Sequence, residues 1–148
     1  MHPDPHSYLA TANGAPSGPV PVTSPGAPEL ATAAPPQFDG PEGFWSPETL
    51  LTASVANCFI LTFRAVSRAA KLDWVRLECK VEAVLEKVEG VTQFSRFKTD
   101  ATLTVLPGAD TAKAKQLLER AEHGCLVANS LRGTRTLESR VVTPSDGP

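Results

Sequence analysis

Apolar and polar residues alternate most regularly between positions 74 and 106. Leu77, Cys79, Val81, Ala83 and Leu85 interleave with Arg76, Glu78, Lys80, Glu82 and Val84. That period of two predicts a strand with one face buried. Glu89-Gly90 supplies a turn. Phe97, Thr99, Ala101, Leu103 and Val105 then alternate with Arg96, Lys98, Asp100, Thr102 and Thr104 until Pro107-Gly108 ends the pattern. The segment therefore reads as a long β-hairpin. Upstream the alternation disappears, and positions 50–63 are apolar nearly all round, as expected of a helix buried at a core or an interface. Its start is well signalled: Ser46 suits the N-cap, Pro47 the first helical position, and Glu48 complements the helix dipole. The helix runs to about Ala70, where Arg64, Arg68 and Lys71 mark its exit towards solvent.

Downstream, Asp110 can cap a second helix over 111–123, with Ala114, Leu117, Leu118 and Ala121 on its apolar side and Gly124 at its C′ position. Positions 126–131 suggest a further helical turn, 134–142 a last strand, and 144–148 a frayed end. Residues 1–45 hold most of the 14 prolines and neither Lys nor Arg. Their short extended pieces at 7–12, 19–23 and 29–33 read as edge strands, where proline is tolerated. Pro25-Gly26 marks a turn, and a disordered tail stays open as the alternative. The division expected is a Pro/Gly-rich segment over 1–34, a domain over 35–142 and a flexible end over 143–148. The order of elements predicts an α+β fold with an antiparallel sheet. One copy would struggle to cover both sides of so apolar a helix, so a homodimer is expected.

Composition narrows the function. The chain has 148 residues, 41% hydrophobic and 20% charged, with a formal net charge of −2. A chain this long favours a single folded domain. Without a block of Lys and Arg, and with few aromatics, nucleic acid and anionic membranes are poor partners. No run reads as long enough to span a bilayer, and the first residues lack the pattern of a secretory signal. The expected location is the cytoplasm, where thiols stay reduced unless they are catalytic. Three cysteines, an odd number, do not suggest a disulfide framework.

Candidate chemistry centres on two of those cysteines. Cys58 lies inside the apolar helix, and Cys125 follows the second helix and a glycine. A lone buried cysteine is usually an inert core residue, and Cys79, on the apolar face of a strand, reads as core. Glu48 fits equally a first-turn dipole partner or an active-site carboxylate. A metal held by His123 and Cys125 would need two further ligands that no nearby motif supplies. No Ser-His-Asp set or phosphate-cradling glycine loop stands out.

Two motifs in order carry a resemblance. Pro35-Pro-Gln-Phe38-Asp-Gly40 leads into Ser46-Pro47-Glu48 and, ten residues beyond the glutamate, Cys58. Ala121-Glu122-His123-Gly124-Cys125 follows at the end of the second helix. In both the chain resembles the OsmC/Ohr family, the osmotically induced and organic hydroperoxide resistance proteins, from about Pro35 to Val142. The resemblance implies an OsmC-like fold, with long central helices in an intertwined homodimer. It implies a thiol peroxidase in which Cys58 attacks an organic hydroperoxide and Cys125 resolves the sulfenic acid as a Cys58–Cys125 disulfide. A lipoyl-type dithiol would act as reductant, with no metal or organic cofactor. Glu48 would join the site. Ten residues at about 1.5 Å each put it roughly 15 Å from Cys58 along one helix, so a glutamate touching the thiol would come from a second subunit. Substrate would meet Phe38, Val55, Phe59 and Leu61, and so should be partly apolar.

The chain also departs from that pattern. Family peroxidases carry an N-terminal arginine that stabilises the thiolate, and no arginine precedes Glu48 here. Cys58 is far from its own helix start, so the dipole helps little. Arg132 is the substitute the sequence offers. Leu126 and Ala128 replace residues of the usual Cys-Pro-Val-Ser stretch. The alternative function is therefore an OsmC-like dimer without efficient peroxidase activity, binding a small apolar ligand or sensing oxidants.

Overall fold

The computed structural model describes residues 3–144. They divide into two compact units that part between Leu51 and Thr52. In the first unit, β1 (Thr11–Ala12), β2 (Val20–Thr23) and β3 (Leu30–Thr32) form an antiparallel sheet in the order β1-β2-β3. These strands fall within the three extended pieces of the proline-rich segment. The turn between β2 and β3 closes with Ala27 N–H donating to the Ser24 carbonyl at 3.1 Å, and Gly26 takes the left-handed conformation (φ 79°). A 3-10 turn, Pro36–Phe38, follows and ends at Asp39. Gly40 is obligatory for space: a Cβ there would stand 1.8 Å from the Ala34 carbonyl oxygen.

Helix α1 (Pro47–Ala69) starts where the sequence places it. The Ser46 hydroxyl accepts from Thr49 N–H at 3.1 Å, and Thr49 Oγ1 accepts in return from Ser46 N–H at 2.9 Å. This is a reciprocal capping box with threonine in the usual place of Glu or Gln. At 23 residues α1 is long and apolar enough to cross a bilayer, contrary to the expectation from the sequence. Its stripe of Val55, Phe59, Phe63 and Ser67, four residues apart, is nevertheless buried in protein.

In the second unit, β4 (Arg76–Val88) and β5 (Val91–Thr104) form the predicted hairpin. Glu89 and Gly90 both have positive φ (50° and 80°), which matches the right-handed twist of the strands. Helices α2 (Thr111–Gly124) and α3 (Leu126–Asn129) lead to β6 (Thr134–Val142), which pairs with β5 in parallel. The sheet β4-β5-β6 is therefore mixed. The sequence suggested antiparallel pairing throughout, but a strand that returns through helices comes back in the same direction. Asp110 caps α2, accepting from Lys113 N–H at 3.0 Å. The core joins Phe59 and Phe63 of α1 to Leu77, Ala101 and Leu103 of the sheet and to Leu117, Leu118 and Ala121 of α2. Phe63 meets Trp74 edge to face at 5.3 Å, and the Trp74 indole N–H donates to the buried Ser67 hydroxyl at 2.9 Å.

Candidate active site

Two free thiols of the second unit lie close enough to shift each other's ionisation, Cys58 from α1 and Cys125 from the end of α2. Cys58 lies on α1, one position before the buried Phe59. Cys125 stands at the elbow between α2 and α3, as last cap of one helix and first cap of the next. Its backbone is extended (φ −67°, ψ 106°), which interrupts the helix. The restart leaves the first N–H groups of α3 without intrahelical partners, and those of Leu126 and Val127 favour the Cys58 thiolate. The sequence placed Gly124 just beyond the helix, at its C′ position. The structure instead keeps it helical, and its missing side chain makes room, since a Cβ would lie 3.3 Å from Cγ2 of Thr62. Thr62 is one turn beyond Cys58. Its hydroxyl donates to the Cys58 carbonyl at 2.7 Å and lies 3.8 Å from the Cys58 sulfur.

The surroundings drive the two thiols apart. Burial pushes Cys58 up, but hydrogen bonds from Val127 N–H, the Cys125 thiol, the Thr62 hydroxyl and Leu126 N–H outweigh it. Cys58 therefore ionises below the ordinary thiol range. Cys125 moves the other way. Burial raises it, with the Cys58 sulfur and the Glu122 carboxylate adding to the rise against the opposing Ala128 N–H. Only 1% exposed, Cys125 also approaches the Val55 carbonyl at 3.9 Å. A thiolate at Cys58 facing a protonated Cys125 suits a nucleophile beside a thiol that keeps its proton until needed. Cys79 on β4 is pushed up to about 12, chiefly by burial and then by Glu122, which makes it a poor nucleophile.

The donors that lower Cys58 are all neutral. Arg132 is exposed and lines a hollow with Val91, Phe94 and Phe97 that neither thiol lines. Glu48 occupies the first turn of α1 in the N-terminal unit, half-buried. Among the apolar residues expected to meet substrate, Phe38 and Leu61 are exposed, whereas Val55 (3%) and Phe59 (1%) are committed to the interior. The elbow adds Leu126, 75% exposed beside Cys125. Sequence reasoning treated that position only as a departure from a pattern and missed its N–H. The available signal was a second helical turn beginning directly after a cysteine.

The family model described as OsmC-like protein matches residues 40–140, which span both thiols and all of the mixed sheet except the last two residues of β6. The chain belongs to the OsmC-like protein family. Its OsmC-like fold is shared with an OsmC-like protein of unknown function from Vibrio cholerae, at a TM-score of 0.84 and 14% identity, covering 91% of this chain and 99% of that one. An organic hydroperoxide resistance protein from Legionella pneumophila is also similar, with a TM-score of 0.72 and 25% identity over 93% of this chain and 97% of that one. In sequence, the uncharacterised protein YmaD of Bacillus subtilis is 24% identical over 107 residues, 70% of this chain and 71% of its own length.

Proposed function

We propose that this OsmC-like protein is a thiol-dependent reductase of organic hydroperoxides, acting in the cytoplasm as a homodimer. The reading is carried by Cys58 and Cys125 standing close enough to shift each other's ionisation, the first thiol lowered and the second raised. The similarity to an organic hydroperoxide resistance protein supports it. The Cys58 thiolate attacks the O–O bond. One oxygen stays on sulfur as sulfenic acid, and the other leaves with a proton as the alcohol. Cys125 then attacks the Cys58 sulfur, forming the disulfide and releasing the hydroxyl with the Cys125 proton as water. A dithiol, lipoyl-type by family resemblance, exchanges with the disulfide and restores both thiols. Exposed Leu61 and Leu126 favour a partly apolar peroxide. In the dimer, Glu48 of the second subunit would complete the site, and the partner would cover the apolar face of α1.

Dithiol-dependent turnover of cumene hydroperoxide, compared with hydrogen peroxide, tests the proposal. Cys58→Ser should abolish turnover. Cys125→Ser should still form a sulfenic acid, trapped with dimedone, but close no intramolecular disulfide, and Cys79→Ser should keep activity. A folded wild type with no turnover would exclude the reductase. The second reading is slow oxidant sensing or capture of a small apolar ligand at the same site. It is favoured by the neutral donor set around Cys58, which stabilises a thiolate less than a guanidinium would.

A further inference from the structure

Arg135 is an unexpected residue where it stands. On β6 the positions that turn towards protein are Arg135, Leu137, Ser139 and Val141, so a guanidinium takes the first place of an otherwise uncharged row. It is half-buried and uses three of its donors. Nε donates to Glu122 Oε1 at 2.9 Å, one terminal nitrogen to Asn129 Oδ1 at 2.8 Å, and the other to the Glu122 carbonyl. Asn129 in turn donates its amide to the His123 carbonyl at 3.0 Å, and its own N–H to the Cys125 carbonyl at 2.9 Å.

These contacts fall on the two sides of the elbow. Glu122 and His123 belong to the last turn of α2, whose carbonyls have no partners within the helix. Asn129 is the last residue of α3. A four-residue helix has too few internal hydrogen bonds to hold its own position. Something outside must fix where its first N–H groups point. Arg135, anchored on β6, is bonded to both sides, and a planar fork makes several such bonds with one loss of side-chain freedom.

We infer that Arg135 is a positioning residue: through Glu122 and Asn129 it clamps the α2–α3 elbow so that the Leu126 and Val127 N–H groups face the Cys58 sulfur. The inference rests on Cys58 being the reacting thiol, but its test does not need peroxide. The rival explanation is purely electrostatic, with Arg135 neutralising Glu122 beside Cys125 and Cys79.

The measurement is the rate of Cys58 alkylation by iodoacetamide against pH, read by mass spectrometry on the intact full-length protein. Amide exchange at Leu126 and Val127 is followed in parallel. Arg135→Met should move the alkylation profile to higher pH and slow the reaction at neutral pH roughly tenfold, the order expected when a hydrogen bond to a charged group is lost. Exchange at both amides should quicken. Asn129→Ala, at an exposed position, should shift the same readouts in the same direction by less, and keeps the test decisive if Arg135→Met fails to fold. Arg135→Lys, which keeps the charge but not the fork, should recover only part of the wild-type rate. Arg135→Met with Glu122→Gln should remain slow. If that double variant returned to the wild-type rate, or if Asn129→Ala left both readouts unchanged, the clamp would be wrong. Wild-type Cys58 that alkylates readily yet forms no sulfenic acid with peroxides would overturn the reductase and leave the clamp standing.

Discussion

Thr62 shows how much one side chain can contribute at the thiol pair. Its hydroxyl can turn from the Cys58 carbonyl to the sulfur when Cys58 ionises, and its methyl group defines the space that Gly124 leaves open. Alkylation of Cys58 should rise with pH and reach its plateau below the range of an ordinary thiol, because the reactive species is the thiolate and the folded protein favours it. Thr62→Val keeps the shape and removes the donor. The profile should move to higher pH, and the rate at neutral pH should fall about threefold, since a contact of 3.8 Å is long and a net hydrogen bond is worth only about 1 kcal/mol. An unchanged profile would assign the lowering of Cys58 to the backbone donors alone. At this scale the sequence was partly legible. Cys58 and Cys125 could be singled out by their setting and by a spacing that resembles the OsmC/Ohr pattern, and Cys79 could be set aside by its place in an alternating strand. The N–H groups of Leu126 and Val127 could not, because backbone donors leave no trace in residue identity. Arg135 left a trace as a cation in an inward position of β6, but its partners lie on other elements.

Among the elements, α1 shows which signals survive from sequence to structure. Its N-terminus was readable from Ser46 and Pro47 because capping chemistry is local. Ser46→Ala should cost about 1 kcal/mol of stability, seen as a lower denaturation midpoint with an unchanged denaturant slope. Phe59→Ala, which hollows out the buried stripe next to the reactive cysteine, should cost about 3–5 kcal/mol. Comparing the two separates the helix as a local structure from the helix as a core element. The face that α1 turns to the sheet was not readable, since a run that is apolar on every side gives no direction. The hairpin was the opposite case. Alternation fixed both its faces, and Glu89-Gly90 fixed its turn. The parallel pairing of β5 with β6 escaped because strand direction depends on the path of the intervening helices, which the pattern within β6 does not contain.

Taken whole, the molecule joins a thiol early in the chain to one near its end. The hairpin and α2 lie between them in sequence, so a Cys58–Cys125 bond would enclose most of the core in one covalent ring. A ring of roughly 70 residues removes on the order of 4 kcal/mol of freedom from the unfolded chain. Through the size scaling of melting, that is about 8–16 °C. Calorimetry on the peroxide-treated and the dithiol-treated protein should show the oxidised form melting higher by that order. The difference should vanish in Cys125→Ser, and equal melting temperatures with the disulfide verified by mass would show that the elbow strains when the bond closes. Heat resistance would then serve as a memory of exposure to oxidant. A molecule that had met peroxide and not yet been reduced would be the one that survives warming, so the population that persists after a combined heat and oxidant challenge would be enriched in its spent form.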